Sequence, residues 1–264
     1  MIGREKIKAY SIFSHKLLAM KFLLLFFSAI LIIGHVSAQK SGSISTDLHH
    51  VFKPERIKED NYKIVIYSQD NDTVSNVKIL DRRIIREKFK GIRCIKITEI
   101  SGNNRTNVYM DAKSLAPRYF ESFSGDTLMQ KAEFENTKET ITDIKNGIEK
   151  RTEVEISPTI FFSNCFSELV QSNDFKINPS IEFETFNPGK PSNHFIVEKT
   201  GEKVFSLLGK KIDCWILKFT RMDTSGNKVP AGFRYIDKSS GKVLMFKTDI
   251  ASNKFFAYQT IFLE

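Results

Sequence analysis

Three cysteines are all this chain has, at positions 94, 165 and 214. Their separations match no zinc signature, which needs close pairs. An odd count also permits at most one internal disulfide. Each sits among apolar neighbours, as in Phe162-Ser163-Asn164-Cys165-Phe166 and Ile212-Asp213-Cys214-Trp215. Such thiols are expected to be buried and structural, because free cysteine behaves as a small hydrophobe. Histidine is scarce too, with five in all. His49-His50 lie beside Asp47 without a third ligand in reach, and His194 opens a strand without a partner in sequence. Gly-x-Ser-x-Gly is missing, and so are glycine-rich phosphate loops. Carboxylates paired at i, i+2, such as Glu133 with Glu135 and Glu153 with Glu155, describe a wet strand face. The expectation is a protein that is not an enzyme, with no cofactor, no catalytic residue and no metal ligand.

A charge of one sign is not concentrated either. The chain has 40 basic and 31 acidic side chains, a net of +9. Five of the basic residues and one acid fall in the first 38 positions, which leaves the rest at +5. Charges of both signs alternate, as in Glu149-Lys150-Arg151-Thr152-Glu153-Val154-Glu155. That mixing argues against nucleic acid as a partner. The one basic cluster, Arg82-Arg83, Arg86, Lys88 and Lys90, is diluted by Asp81 and Glu87; it allows weak contact with a membrane surface.

One long apolar run exists, Phe22 to Ile33, preceded by Met20-Lys21. Gly34 and His35 break it, and Val36-Ser37-Ala38 offers small residues at the spacing a signal peptidase requires. Twelve residues are too few to span about 30 Å of hydrocarbon as a helix. Residues 1–38 therefore read as a signal peptide cleaved after Ala38, with Met20 an alternative start and 1–19 an extension. No cysteine follows that would accept a lipid. The expected location is the periplasm or the exterior of a bacterial cell.

Residues 39–60 read as a polar lead-in and a short helix limited by Pro54. From 61 to 264 the pattern is that of one domain. Segments such as Ile92-Arg93-Cys94-Ile95-Lys96-Ile97 alternate with period two, and turn residues recur at short intervals, including Lys145-Asn146-Gly147 and Ser239-Ser240-Gly241. This predicts a mainly β (α+β) domain with a single curved antiparallel sheet. One helix is predicted from Ser157-Pro158 to Gln171: Phe162, Cys165, Phe166, Leu169 and Val170 form an apolar stripe, with Ser163, Asn164, Ser167 and Glu168 on the other side. An apolar stripe in water is unfavourable, so the helix should dock on the concave face of the sheet. The 23 phenylalanines mostly serve the core. Phe255-Phe256, in a strand, must point to opposite faces.

Three stretches carry a family resemblance: Gly209-Lys210-Lys211-Ile212-Asp213-Cys214-Trp215-Ile216-Leu217-Lys218, Tyr235-Ile236-Asp237 before Gly241-Lys242-Val243-Leu244-Met245-Phe246, and Val108-Tyr109-Met110-Asp111 before Leu115-Ala116-Pro117-Arg118. Over Tyr62 to Glu264 the chain resembles exported bacterial proteins of unknown function with the lipoprotein-carrier (LolA/LolB-like) half-barrel fold. The resemblance implies a half-barrel with one or two helices across its open face and an apolar cavity between them, which in the carriers accepts acyl chains. The expected function is a binding protein that shelters an apolar ligand, an acyl chain or another lipid, with Phe162, Phe166, Leu169, Trp215, Leu217 and Phe246 lining the cavity. The alternative is a structural or interaction module whose partner is an envelope protein.

Overall fold

In the computed structural model the described residues are 51–157, 159–207, 209–223, 225–251 and 254–262. The signal-peptide region and His49-His50 lie outside them. After a 3-10 turn at Pro54–Arg56, fifteen strands follow. They are β1 (Asp60–Asp70), β2 (Thr73–Phe89), β3 (Ile92–Ser101), β4 (Asn104–Asp111), β5 (Pro117–Ser124), β6 (Thr127–Glu135), β7 (Lys138–Lys145) and β8 (Ile148–Glu155). Then come β9 (Ile160–Phe162), β10 (Ser180–Phe186), β11 (Asn193–Leu207), β12 (Lys210–Met222), β13 (Lys228–Asp237), β14 (Val243–Ala251) and β15 (Lys254–Phe262).

All fifteen belong to one curved sheet in the order 8-7-6-5-4-3-2-1-15-14-13-12-11-10-9. The first and last strands meet in its middle, in register from Tyr62 opposite Phe262 to Asp70 opposite Lys254. Two meandering arms extend from that seam. Short turns join the strands, and at Asn146-Gly147 both residues have positive φ, 52° and 76°, the twist a two-residue hairpin needs. The expected single curved antiparallel sheet is what forms, with one exception: β9 pairs parallel to β10. The sheet does not close, because β8 and β9 are its two free edges. Every residue of β8 is exposed, and most are charged, which blunts that edge against pairing with another chain.

β2 could not be read from period-two alternation. It runs for 17 residues, and Asn76 adopts φ 55° opposite an irregularity between Ile66 and Ser68 of β1. A bulge of this kind resets which side chains face inward.

The helix differs from expectation at its start. Ile160–Phe162 are not helical; they form β9, and the α-helix proper, α1, is Phe166–Ser172 after a 3-10 turn at Ser163–Cys165. Ile160, Phe161 and Phe162 are 5%, 4% and 0% exposed, so three consecutive side chains are buried. A strand covered on both faces accommodates that, whereas a surface helix turns every third or fourth residue to solvent. Phe161 meets Phe52 and Phe183, while Phe162 meets Phe120, Phe134 and Phe186. The helix has no wet side of the kind predicted: Glu168 and Gln171 are buried along with Phe166, Leu169 and Val170. It lies in the trough of the sheet, with the charge of Glu168 turned inward.

The far ends of the two arms are bridged by aromatic rings. Phe134 of β6 lies 5.2 Å from Phe162 and 5.6 Å from Phe186, both edge-on. Beside this contact Glu139 of β7 is 2% exposed and accepts a backbone N–H from Gly189, yet its Oε1 has no partner. Burial pushes its carboxyl up to about 7. A carboxyl that is protonated in the fold and ionised in the unfolded chain costs stability as pH rises between about 4.5 and 7. Glu139→Gln should remove that slope. Denaturant melts at pH 5 and pH 8 are expected to show wild type losing about 2–3 kcal/mol relative to the variant.

Candidate functional site

Two arginines point into the trough and meet different fates. Arg82 of β2 is 3% exposed and fully partnered. It donates from Nη2 to Glu168 at 2.6 Å and to the carbonyl of Asn164 at 2.5 Å, from Nε to Glu168 at 3.2 Å, and from Nη1 to Glu99. Asn164 in turn donates to Glu99 at 2.6 Å, and the Tyr62 hydroxyl reaches Glu168 at 3.4 Å. Burial alone would lower the guanidinium, but Glu168 and Glu99 outweigh it and hold Arg82 well above its ordinary value. Tyr62 is pushed up chiefly by burial. This network ties β1, β2 and β3 to the helix.

Arg234 of β13 is 8% exposed, and neither Nε nor Nη1 has a hydrogen-bond partner. Aromatic faces surround it instead: the guanidinium carbon lies 4.0 Å from the ring centre of Phe166, 4.4 Å from Phe219, 4.9 Å from Phe246 and 5.5 Å from Tyr258. Register explains the cage, because Leu217, Arg234, Phe246 and Tyr258 stand side by side across β12 to β15. Burial lowers the Arg234 guanidinium, and Tyr258 and Glu168 offset only part of that. Cation–π contact stabilises such a charge without satisfying its N–H groups.

A pocket of about 420 Å³ opens beside this arginine, next to the first turn of α1. Its walls are Phe166, Phe195, Phe219 and Phe246, its rim includes Arg221, Val229 and Ala231, and Arg234 borders it. The walls are held by edge-on contacts, Phe166 to Phe183 at 5.2 Å and to Phe195 at 5.0 Å. A concave, mostly apolar space with a few polar groups is the usual form of a small-molecule site. No carboxylate lines it.

Of the six residues predicted to line a cavity, Phe166 and Phe246 meet at this pocket. Leu217 pairs with Arg234 in register and is wholly buried, as are Phe162 and Leu169. These three pack the interior. Trp215 lies apart, at a separate hollow by the C-terminal end of α1, with the ammonium groups of Lys199 and Lys238 at 4.4 Å and 4.3 Å from its ring. Sequence reasoning missed Phe195, Phe219 and Arg234. The signal for Arg234 was present: in Gly232-Phe233-Arg234-Tyr235-Ile236 it shares parity with the inward Ile236. Phe256 lies on the Phe246 side of β15, while Phe255 meets Tyr67 and Lys247.

The remaining candidates settle elsewhere. All three thiols are free and buried, and burial raises each of them, Cys214 to about 11. Cys214 packs with Leu207 and Leu244 in a small separate cluster. His194 does find charged neighbours, Glu182 at 2.6 Å and Glu184 at 3.8 Å on β10. Among the described residues no group of three or more His, Cys, Asp or Glu is arranged to hold a metal ion. The basic cluster of β2 and the turn after it is divided: Arg82 is buried, Arg86 donates to the carbonyls of Pro54 and Ile57, and Lys90 pairs with Glu133.

A mainly β protein with an aromatic pocket beside the first turn of a short helix is thus the class defined. The chain belongs to the family described as Protein of unknown function (DUF3108), whose model matches residues 71–254. No curated protein matches it. Among solved structures it is similar to the hypothetical lipoprotein YmcC from Escherichia coli (K12), at 8% identity over 78% of this chain and 89% of that one, with a TM-score of 0.27. It is also similar to a DUF1329 family protein from Desulfovibrio piger, at 10% identity over 78% and 86% of the two chains, with a TM-score of 0.24.

Proposed function

We propose that this protein is an exported, non-catalytic binding protein of the bacterial envelope that shelters an apolar ligand, such as an acyl chain, between the curved sheet and α1. The observation that supports the reading most is the pocket of about 420 Å³ walled by four phenylalanines. Phe162, Phe183 and Leu217 are wholly buried and pack the interior away from it. Signal-peptide features at residues 20–38 supply the route out of the cytoplasm.

Lipid extraction of the purified protein followed by mass spectrometry, with binding of a fluorescent fatty acid, tests this. Co-purifying lipid or saturable binding is expected. Ala231→Trp, which places an indole at the rim, should weaken binding at least tenfold while leaving the thermal midpoint within a few degrees. Absence of both lipid and binding in wild type would sink the reading. The alternative, an interaction module with no small ligand, is favoured by the exposed Val74, Val77 and Ile79 on β2. Those residues would then be protected when an envelope partner is crosslinked.

A further inference from the structure

The pocket is asymmetric in charge in a way that an acyl chain alone does not need. Two guanidinium groups line it, Arg234 at its wall and the exposed Arg221 at its rim, and no acid does. Arg82 shows what this fold does with an arginine meant only for structure: on the same side of the sheet it receives two carboxylates and a carbonyl. Arg234 receives none, although it is 8% exposed. Glu168 acts on its charge, but both oxygens of that carboxylate are taken by Arg82.

An unmatched buried donor normally costs about 1–3 kcal/mol, more when it is charged, and native proteins rarely leave one. The surrounding rings offer no acceptor, and Nε and Nη1 are buried without a partner, so those donors are what remain for one. The chemistry that satisfies a planar fork of N–H groups is an oxyanion, a carboxylate or a phosphate, held by paired charge-assisted hydrogen bonds. The phenylalanine walls require that the rest of the ligand be apolar.

We infer that the ligand is an anionic amphiphile whose acid group is bound by Arg234, with Arg221 drawing it in at the rim and its apolar body lying against Phe166, Phe195, Phe219 and Phe246. This rests on the binding reading above and goes further, because it assigns a headgroup and a residue that recognises it.

Calorimetric titration of the full chain with dodecanoic acid, dodecyl phosphate and 1-dodecanol, each below its micelle concentration, separates the two. The acid or the phosphate should bind at least tenfold more tightly than the alcohol, and whichever anion wins identifies the headgroup class. Arg234→Gln should erase that preference, so that the acid, the phosphate and 1-dodecanol bind the variant with similar affinity, and Arg234→Lys should retain part of it. Equal binding of the acid, the phosphate and the alcohol to wild type would overturn the headgroup assignment and leave the apolar pocket standing. Binding of none of the three would overturn both. A preference that survives in a folded Arg234→Gln protein would move recognition away from this residue. The wild-type comparison stands even if a variant does not fold.

Discussion

Arg82→Met is expected to destabilise the protein by about 3–5 kcal/mol, the cost of removing one partner from a buried charge network. Methionine approximates the volume of the stem but leaves Glu99 and Glu168 facing each other without the cation they both contact. It also frees the carbonyl of Asn164 and loosens the helix from β1, β2 and β3. Urea unfolding at pH 7 measures the deficit. The same substitution at Arg234 makes the contrast. Since Arg234 has neither a carboxylate nor a hydrogen bond at Nε and Nη1, Arg234→Met should leave stability within about 1 kcal/mol of wild type or raise it. A large loss at Arg234 and none at Arg82 would reverse the roles assigned to them.

Gly232→Ala is expected to cost about 2–4 kcal/mol, and for a different reason. Gly232 has φ 122°, a conformation side chains rarely adopt. It sits where the register of β12 with β13 shifts, with Ala231 as the extra residue between Gly232 and Pro230. A Cβ there would collide with the carbonyl oxygen of Lys247 and come 2.9 Å from the Phe246 ring. Phe246 is a wall of the pocket, so relief by moving that ring should also disturb binding. Thermal unfolding together with the affinity for dodecanoic acid reads both effects. A neutral change in both would mean the bulge is plastic and does not hold the pocket in shape.

Much of the sheet was legible because its strands are half-buried and announce themselves by alternation, as at Ile92–Ile97, and by turns such as Asn146-Gly147. What alternation cannot reveal is a strand that bulges, as β2 does at Asn76, or one covered on both faces, as at Ile160–Phe162. The latter resembled a helix because Phe162 happens to fall on the helical stripe continued by Phe166 and Leu169. Pairing of the first strand with the last was equally hidden, since nothing local in Tyr62–Tyr67 specifies a partner nearly two hundred residues away.

The site divided along similar lines. Apolar residues at helical spacing brought Phe166 into view, and a strand near the C-terminus brought Phe246, but the pocket needs Phe195 and Phe219 from β11 and β12 to close its walls. Charge misled most. Arg82 read as part of an exposed basic cluster and Glu168 as the wet side of a helix, yet each is buried against the other. A charged residue in a strand or helix says little about its face until its partner is known.

The most direct test of the account is a crystal structure of the protein grown with dodecanoic acid. It predicts an acyl chain among Phe166, Phe195, Phe219 and Phe246 with the carboxylate at Arg234. An empty pocket at saturating ligand, or the chain bound elsewhere, would contradict it.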